Sequence, residues 1–477
     1  MMGFSLQKKH GEQWKAADFI NNEAIETLLQ AGKNATPQDV KAILAKAEAA
    51  KGLTPEEASI LLHLEDETLL AELYAVAGRV KERIYGKRVV LFAPLYISDH
   101  CINDCTYCGY RKDHKFNRRK LSQDEVAEEV KILESMGHKR LAVEAGEHPQ
   151  ECPIDYVLES LQTIYAQKFE NGSIRRANIN IAADRIENYA KLKEAGIGTY
   201  ILFQETYHRP TYEKLHPGGP KADYDWHTTA HHRAMKAGID DVGFGVLFGL
   251  YDYKFEVIAM LLHALDLEKT MGVGPHTVSV PRMRPAAGVN YETFPYLVND
   301  NEFAKIVAIL RLAVPYAGII LSTRENAASR DKLLAYGVSQ VSAGSCTGVG
   351  GYQQERDGKG GETPQFYVDD HRSTDDMLTA LCESGWLPSF CTACYRQGRT
   401  GDRFMELAKS GEIQNVCQPN AILTFKEFLI DYATPELKEL GERVIQKHLA
   451  DIKRPETRKA TLEKLAELEA GKRDIFF

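Results

Sequence analysis

The chain of 477 residues is expected to be an α/β protein: a (β/α)8 TIM-type barrel with an N-terminal helical extension and a mostly helical C-terminal domain. Two patterns lead there. Eight short apolar runs recur at 88–96, 140–145, 174–183, 199–204, 242–248, 276–281, 317–322 and 338–343, and amphipathic stretches separate most of them. Outside that region the pattern is helical at both ends. The expected boundaries are 1–85 for the extension, 86–385 for the barrel and 386–477 for the C-terminal domain. A doubly wound open sheet would use the same strands without closing them, and is the competing arrangement.

Residues 1–85 carry two helix starts, Thr36-Pro37-Gln38-Asp39 and Thr54-Pro55-Glu56-Glu57, each with Thr as N-cap and Pro at the first helical position. This extension is expected to cover the barrel. The first apolar run leads directly into Cys101-Ile-Asn-Asp-Cys105-Thr-Tyr-Cys108. Barrels of this kind carry their active sites at the C-terminal ends of the strands, so that loop belongs at the catalytic mouth. Leu121-Ser122-Gln123-Asp124-Glu125 then opens a helix with a capping box, and Gly137 closes it.

After the eighth run, residues 344–372 form a glycine-rich loop holding Gly348-Val349-Gly350-Gly351-Tyr352 and Asp357-Gly358-Lys359-Gly360-Gly361. It lacks the spacing and the closing Lys-Ser/Thr of a Walker loop. Its length marks a lid or connector. The last segment holds Cys391-Thr392-Ala393-Cys394 and Cys417, and Thr434-Pro435-Glu436 opens one of its helices.

Bulk properties fit a cytoplasmic enzyme. Lys+Arg 59 against Asp+Glu 67 gives a net charge of −8 with both signs mixed along the chain, which points to no nucleic-acid and no membrane partner. The opening Met1-Met2-Gly3-Phe4-Ser5 has no apolar signal region, and the longest apolar runs are too short to span a bilayer. Nine cysteines at clustered spacings read as metal ligands in a reducing compartment rather than disulfides.

The spacing C-x3-C-x2-C of Cys101, Cys105 and Cys108 can hold three corners of a 4Fe–4S cubane and leave the fourth iron open for chemistry. Such an exposed cluster implies oxygen sensitivity and an anaerobic host. A structural zinc loop is the alternative, but it needs a fourth ligand. Cys391, Cys394 and Cys417, spaced C-x2-C-x22-C, allow two readings: a second open cubane, or a Cys3His zinc site with a histidine such as His448. Cys152, Cys346 and Cys382 stand alone and are expected to behave as small hydrophobes.

On these two motifs the whole chain resembles the radical S-adenosylmethionine (SAM) tyrosine lyases of FeFe-hydrogenase maturation. The first motif, with Tyr107 in its aromatic context, is specific to the superfamily; the pair is specific to the maturases. The related 2-iminoacetate synthases of the thiamine pathway share the barrel segments but not the second cysteine set. The resemblance implies that the iron at Cys101, Cys105 and Cys108 binds SAM and yields a 5′-deoxyadenosyl radical. It places Tyr107 and Glu144-Ala145-Gly146-Glu147-His148 beside SAM, and Gln204-Glu205-Thr206-Tyr207 near its ribose and the substrate. Glu144, Gly146, Glu147 and Glu205 are thus expected cofactor contacts, and Gln204 and Glu205 catalytic ones.

For the L-tyrosine carboxylate a bidentate guanidinium is wanted. Arg324 in Ser322-Thr323-Arg324-Glu325, and Arg282 or Arg284 in Val280-Pro281-Arg282-Met283-Arg284-Pro285, are the candidates, with the resemblance favouring Arg324. The same resemblance implies cleavage to p-cresol and dehydroglycine, and conversion of the latter to carbon monoxide and cyanide. It further implies a second 4Fe–4S cluster at Cys391, Cys394 and Cys417, and a labile iron bridged by free L-cysteine. His276 in Gly274-Pro275-His276-Thr277 is the expected protein ligand to that iron. A reductant such as ferredoxin or flavodoxin and other hydrogenase maturases are the implied partners. The alternatives are a 2-iminoacetate synthase, or a non-catalytic iron–sulfur or zinc assembly scaffold.

Overall fold

The computed structural model describes residues 16–359 and 364–477. Residues 1–5, and Gly360 and Gly361 of the glycine-rich loop, lie outside the described residues. Eight parallel strands close into a barrel: β1 (Arg88–Ser98), β2 (Arg140–Ala145), β3 (Arg176–Asn180), β4 (Tyr200–Glu205), β5 (Val242–Val246), β6 (Thr277–Ser279), β7 (Gly318–Leu321) and β8 (Gln340–Ser342). Closure is direct, because β1 pairs with both β2 and β8. The open doubly wound sheet is thereby excluded.

The strands are shorter than several of the apolar runs. The run 174–183 yields only Arg176–Asn180, and 276–281 only Thr277–Ser279, so His276 stands just before β6 rather than within it. The trimmed residues turn into the mouth or the floor of the barrel, where backbone leaves the ladder.

At the N-terminal side, helices Asn22–Gly32, Pro55–Leu62 and Glu67–Tyr85 pack on the helices Tyr253–Met271 and Asp300–Ala313 of the outer ring, and Pro37–Ala47 packs on Pro55–Leu62 and Glu67–Tyr85. Thr36 and Thr54 make the expected caps, each in a reciprocal box with the acidic residue three positions on. The helix after the cysteine loop, Gln123–Ser135, is likewise capped by Ser122 with Glu125.

The C-terminal segment is mostly helical but contributes a short strand that its sequence does not announce. β9 (Leu387–Ser389) pairs in parallel with Arg88–Val90. β1 has 11 residues and starts before β8 does, so its first residues project from the barrel floor and offer a free edge. Pro388 lacks an N–H, which suits it to this outermost position. The strand carries the chain to Cys391 at the floor; helices Gln414–Asp431 and Pro435–Ala450 pack on it, and Pro455–Glu469 packs on those two helices. Among the described residues no helix is long and apolar enough to cross a membrane.

Candidate active site at the mouth and a second cysteine chamber at the floor

β1 delivers the first cysteine group. Beyond Ser98 the chain loops over the mouth and returns at Lys120, which bridges back to Ser98. Backbone bonds pin the loop: Ile102 N donates to Glu147 O at 2.8 Å, Asp104 N to Gly218 O at 3.0 Å, and Thr106 N to Leu215 O at 3.0 Å. This close approach depends on glycine. A Cβ on Gly146 would meet His100 O at 2.4 Å, and one on Gly219 would meet Asn103 Cα at 2.7 Å.

Cys101, Cys105 and Cys108 line one pocket of about 1000 Å³, measured out to its open rim. Burial pushes the Cys108 thiol up to about 11 and raises Cys105 as well. A cluster bound there would displace those protons, as metal binding to thiols does. Among the described residues no three His, Cys, Asp or Glu side chains close on a single ion. The donor set at the mouth, three sulfurs and no fourth ligand, fits an open cubane.

The remaining pocket wall carries several charged and polar side chains among apolar ones. Glu205 ends β4 at φ 70, in the left-handed region, where the pairing of β4 with β5 is irregular. Such backbone strain in a non-glycine residue is characteristic of functional sites. It turns the carboxylate onto Lys221 Nζ at 2.7 Å. Burial opposes the Lys221 charge, but Glu205 and Cys105 outweigh it and hold its pKa above the ordinary value. Glu144 accepts from Asn180 Nδ2 at 2.6 Å, and burial pushes its carboxyl up to about 8. Glu147 accepts from Asn103 Nδ2 at 2.6 Å and is likewise raised by burial. Tyr107 lies against the pocket with its hydroxyl 2.7 Å from His216 Nε2.

Arg324 lines both this pocket and the barrel lumen below it. Its guanidinium lies 3.6 Å over the Phe366 ring, and its buried Nε has no hydrogen-bond partner. Among the described residues it forms no ion pair. Gln365 and Phe366, from the later part of the glycine-rich loop, line the mouth and the lumen; Tyr96 donates to Gln365 Oε1 at 2.9 Å.

Two expected catalytic residues are placed elsewhere. Arg282 is buried in an ion network, giving Nε to Glu325 Oε1 at 2.9 Å and Nη2 to Asp300 Oδ1 at 2.5 Å. Arg284 shares the same Glu325 at 2.6 Å. Both guanidiniums are held by Glu325, and neither lines the mouth pocket or the lumen. Gln204 alternates away from the lumen between Phe203 and Glu205, and donates to Thr228 Oγ1 at 2.9 Å.

At the opposite end of the barrel, Cys391, Cys394 and Cys417 line a chamber of about 490 Å³ together with His276. Burial pushes His276 down to about 4, which keeps the imidazole neutral, the form that ligates metals. Its Nε2 is 3.0 Å from the Tyr395 hydroxyl and its Nδ1 is 3.5 Å from Asp241 Oδ1. His448 is turned toward the Gly385 carbonyl at 3.4 Å and does not line the chamber, which removes it as a fourth ligand.

The floor is strongly cationic. Arg140 Nη2 donates to the Cys391 carbonyl at 3.0 Å. Burial works against the Arg88 charge, yet the three thiols outweigh it and raise its pKa; its Nε is buried without a partner. The Cys417 thiol and the Arg399 guanidinium favour a thiolate at Cys394. Three convergent sulfurs in a field of unpaired guanidinium suit an anionic thiolate cluster.

Sequence reasoning missed Lys221 and Asn180 at the mouth, and Arg88, Arg140 and Tyr395 at the floor. One signal for the floor was present. Arg88, Arg140 and Arg176 each open a strand, so all three start at the barrel's N-terminal end.

The fold is shared. The chain is 59% identical to HydG, a maturase of the FeFe-hydrogenase, with a TM-score of 0.94 over 97% of this chain and 100% of that one. The chain belongs to the HydG family. HydG from Carboxydothermus hydrogenoformans is 40% identical, with a TM-score of 0.80 over 94% of this chain and 100% of that one. The 2-iminoacetate synthase of Escherichia coli (strain K12) is 31% identical over 344 residues, 72% of this chain and 88% of that protein. Residues 95–265 match the Radical SAM superfamily, and residues 279–387 the Biotin and Thiamin Synthesis associated domain. The HydG-family chain is thus a radical SAM enzyme, and that membership implies SAM and a 4Fe–4S cluster.

Proposed function

We propose that this enzyme cleaves L-tyrosine between Cα and Cβ into p-cresol and dehydroglycine, and converts the latter to carbon monoxide and cyanide for FeFe-hydrogenase assembly. One observation carries the reading. Two three-cysteine groups lie at opposite ends of a single barrel, and the spaces between them adjoin. The lumen, about 810 Å³, shares Arg324, Glu144 and Asn180 with the mouth pocket and Gln340 with the floor chamber.

When bound, the cluster at Cys101, Cys105 and Cys108 supplies the electron that cleaves SAM homolytically. The protein's own contribution is placement. Gly146 and Gly219 let the cysteine loop lie against β2 and the segment after β4, so that SAM and substrate share one wall. The unpaired Arg324 fork receives the tyrosine carboxylate, and Phe366 stacked on it fixes the plane of that fork. Glu144, neutral at pH 7 and bonded to Asn180, lines the lumen without adding a competing charge. The glycine-rich loop limits water access above.

Residues 386–477 form the domain that holds the second cluster through Cys391, Cys394 and Cys417, with His276 and free L-cysteine holding an additional labile iron. Ferredoxin or flavodoxin supplies the electron, and other maturases take the product.

Anaerobic incubation with SAM, reductant and tyrosine tests this, by assay of p-cresol, cyanide and carbon monoxide. All three are expected. p-Cresol without cyanide would replace the reading by a 2-iminoacetate synthase, and no p-cresol would end it.

A further inference from the structure

The second cysteine set is assembled from two separate pieces. Cys391 and Cys394 stand on the turn after β9, and Cys417 stands on the helix Gln414–Asp431, with the helix Gly401–Ser410 between them in the chain. Residues 473–477, which follow the helix Pro455–Glu469, bind both pieces.

On the helix side, Arg473 gives Nε and Nη2 to Asp431 at 2.6 and 2.5 Å, and Asp474 N donates to Glu427 Oε2 at 2.9 Å. Phe477 N donates to Asn420 Oδ1 at 2.8 Å. Asn420 is fully buried and lies three residues beyond Cys417, on the same face of the helix. On the turn side, Asp474 pairs with Arg396 at 2.6 Å, and the Arg396 guanidinium lies 4.0 Å over the Phe476 ring. Asp474 also reaches Arg175, beside the start of β3, at 3.1 Å. Its backbone takes φ 59, in the left-handed region, a conformation that persists where its surroundings over-determine it.

Arg399 is where this segment meets the sulfurs. Its backbone N donates to Cys394 O at 2.8 Å, and its guanidinium stands beside the Cys394 sulfur. Its Nη2 donates to the Phe477 carbonyl at 2.5 Å, while its Nε is buried without a hydrogen-bond partner. A buried donor left unpaired is costly, so a donor beside a sulfur calls for that sulfur to carry negative charge.

We propose that residues 473–477 are a latch that sets the geometry of the second cysteine set, and that Arg399 is its positioning residue, held by Phe477 so that its free N–H serves the sulfur at Cys394. The latch stands on these contacts alone. Its effect on a cluster rests on the proposed second 4Fe–4S site. There a donor to sulfur stabilises the added charge of the reduced form and raises the reduction potential.

Two measurements on the full chain test this. In the metal-free protein, amide exchange of residues 394–399 and 414–420 is followed by mass spectrometry. Deletion of residues 473–477 should speed it about tenfold and leave β2 to β5 unchanged. Should the deletion fail to fold, Asp474→Asn keeps the segment, weakens its ion pairs and should move exchange in the same direction. In the iron- and sulfide-loaded protein, a redox titration followed by paramagnetic resonance reads the second cluster, with SAM added to set the first apart. Arg399→Gln should favour the oxidised second cluster about tenfold, a downward shift of about 59 mV for one electron, with the first cluster unmoved. Arg399→Lys should fall between. The deletion should give the same shift or leave the floor without iron, and adding Arg399→Gln to it should change nothing further. Unchanged exchange in both tail variants overturns the latch. A potential indifferent to Arg399, or shifts that simply add, overturns the role of Arg399. A floor that loads zinc in place of iron, or absence of p-cresol, would defeat the functional reading, and the exchange comparison would still decide the latch.

Discussion

Among single residues, the arginines around the mouth divide by whether they already have partners. Among the described residues the Arg324 guanidinium has no ion pair, so Arg324→Gln should raise KM for tyrosine about 10–100-fold, the value of a charge-assisted bidentate contact, with steady-state p-cresol formation as the measurement. Arg282 is the converse. Arg282→Gln leaves the buried Glu325 with Arg284 alone and should cost on the order of 3 kcal/mol in chemical unfolding, while KM changes little in the protein that folds. A buried carboxyl gives a pH signature. Glu256 accepts from Tyr207 N at 2.8 Å and from the Thr206 hydroxyl, and burial pushes it from 4.5 up to about 8. The folded state therefore holds this proton more tightly than the unfolded chain. Its contribution is complete below pH 4.5 and is lost as pH rises through about 8. Thermal unfolding between pH 5 and 8.5 should show that fall, and Glu256→Gln should flatten part of it.

At the scale of elements, the cysteine loop depends on a glycine as much as on its sulfurs. Gly146→Ala drives a methyl into a backbone carbonyl, which no rotamer change relieves. The variant should lose the iron held at the first motif, about four atoms per chain for one cubane, while the floor chamber keeps its own; iron and sulfide analysis reads this. The barrel was legible because period and spacing are properties of the chain itself: apolar runs for strands, Thr-Pro and Ser-x-x-Glu for helix starts, clustered cysteines for the two loops. β9 was not legible. Three residues containing Pro388 carry no strand signal, and the pairing exists only because β1 starts ahead of β8. Residue type alone left Arg324 and Arg282 as alternatives, with the resemblance favouring Arg324; the fold gives Glu325 to Arg282 and Phe366 to Arg324. The place of Gln204 was hidden for a related reason, since alternation in β4 assigns it the outer face once the inward side of Phe203 and Glu205 is known.

Across the whole molecule, the barrel keeps two thiol centres apart and yet in communication. The first sits where β1 ends, the second where β1 begins, so this one strand spans the distance between them. That layout predicts separable failures. Cys101→Ala removes one of three ligands at the mouth, and SAM cleavage, p-cresol, cyanide and carbon monoxide should all be lost together. The pair Cys394→Ala and Cys417→Ala empties the floor chamber of two of its three sulfurs but touches nothing around Arg324. That double variant should retain p-cresol within about threefold of wild type, which corresponds to a barrier change under 1 kcal/mol, while iron-bound carbon monoxide disappears from the infrared spectrum. The iron content should fall from about eight or nine to about four per chain. Parallel loss of p-cresol in both variants would mean that the C-terminal cysteines are needed for the mouth to form at all. The barrel would then be one chemical site with a distant support, instead of two sites joined through a lumen.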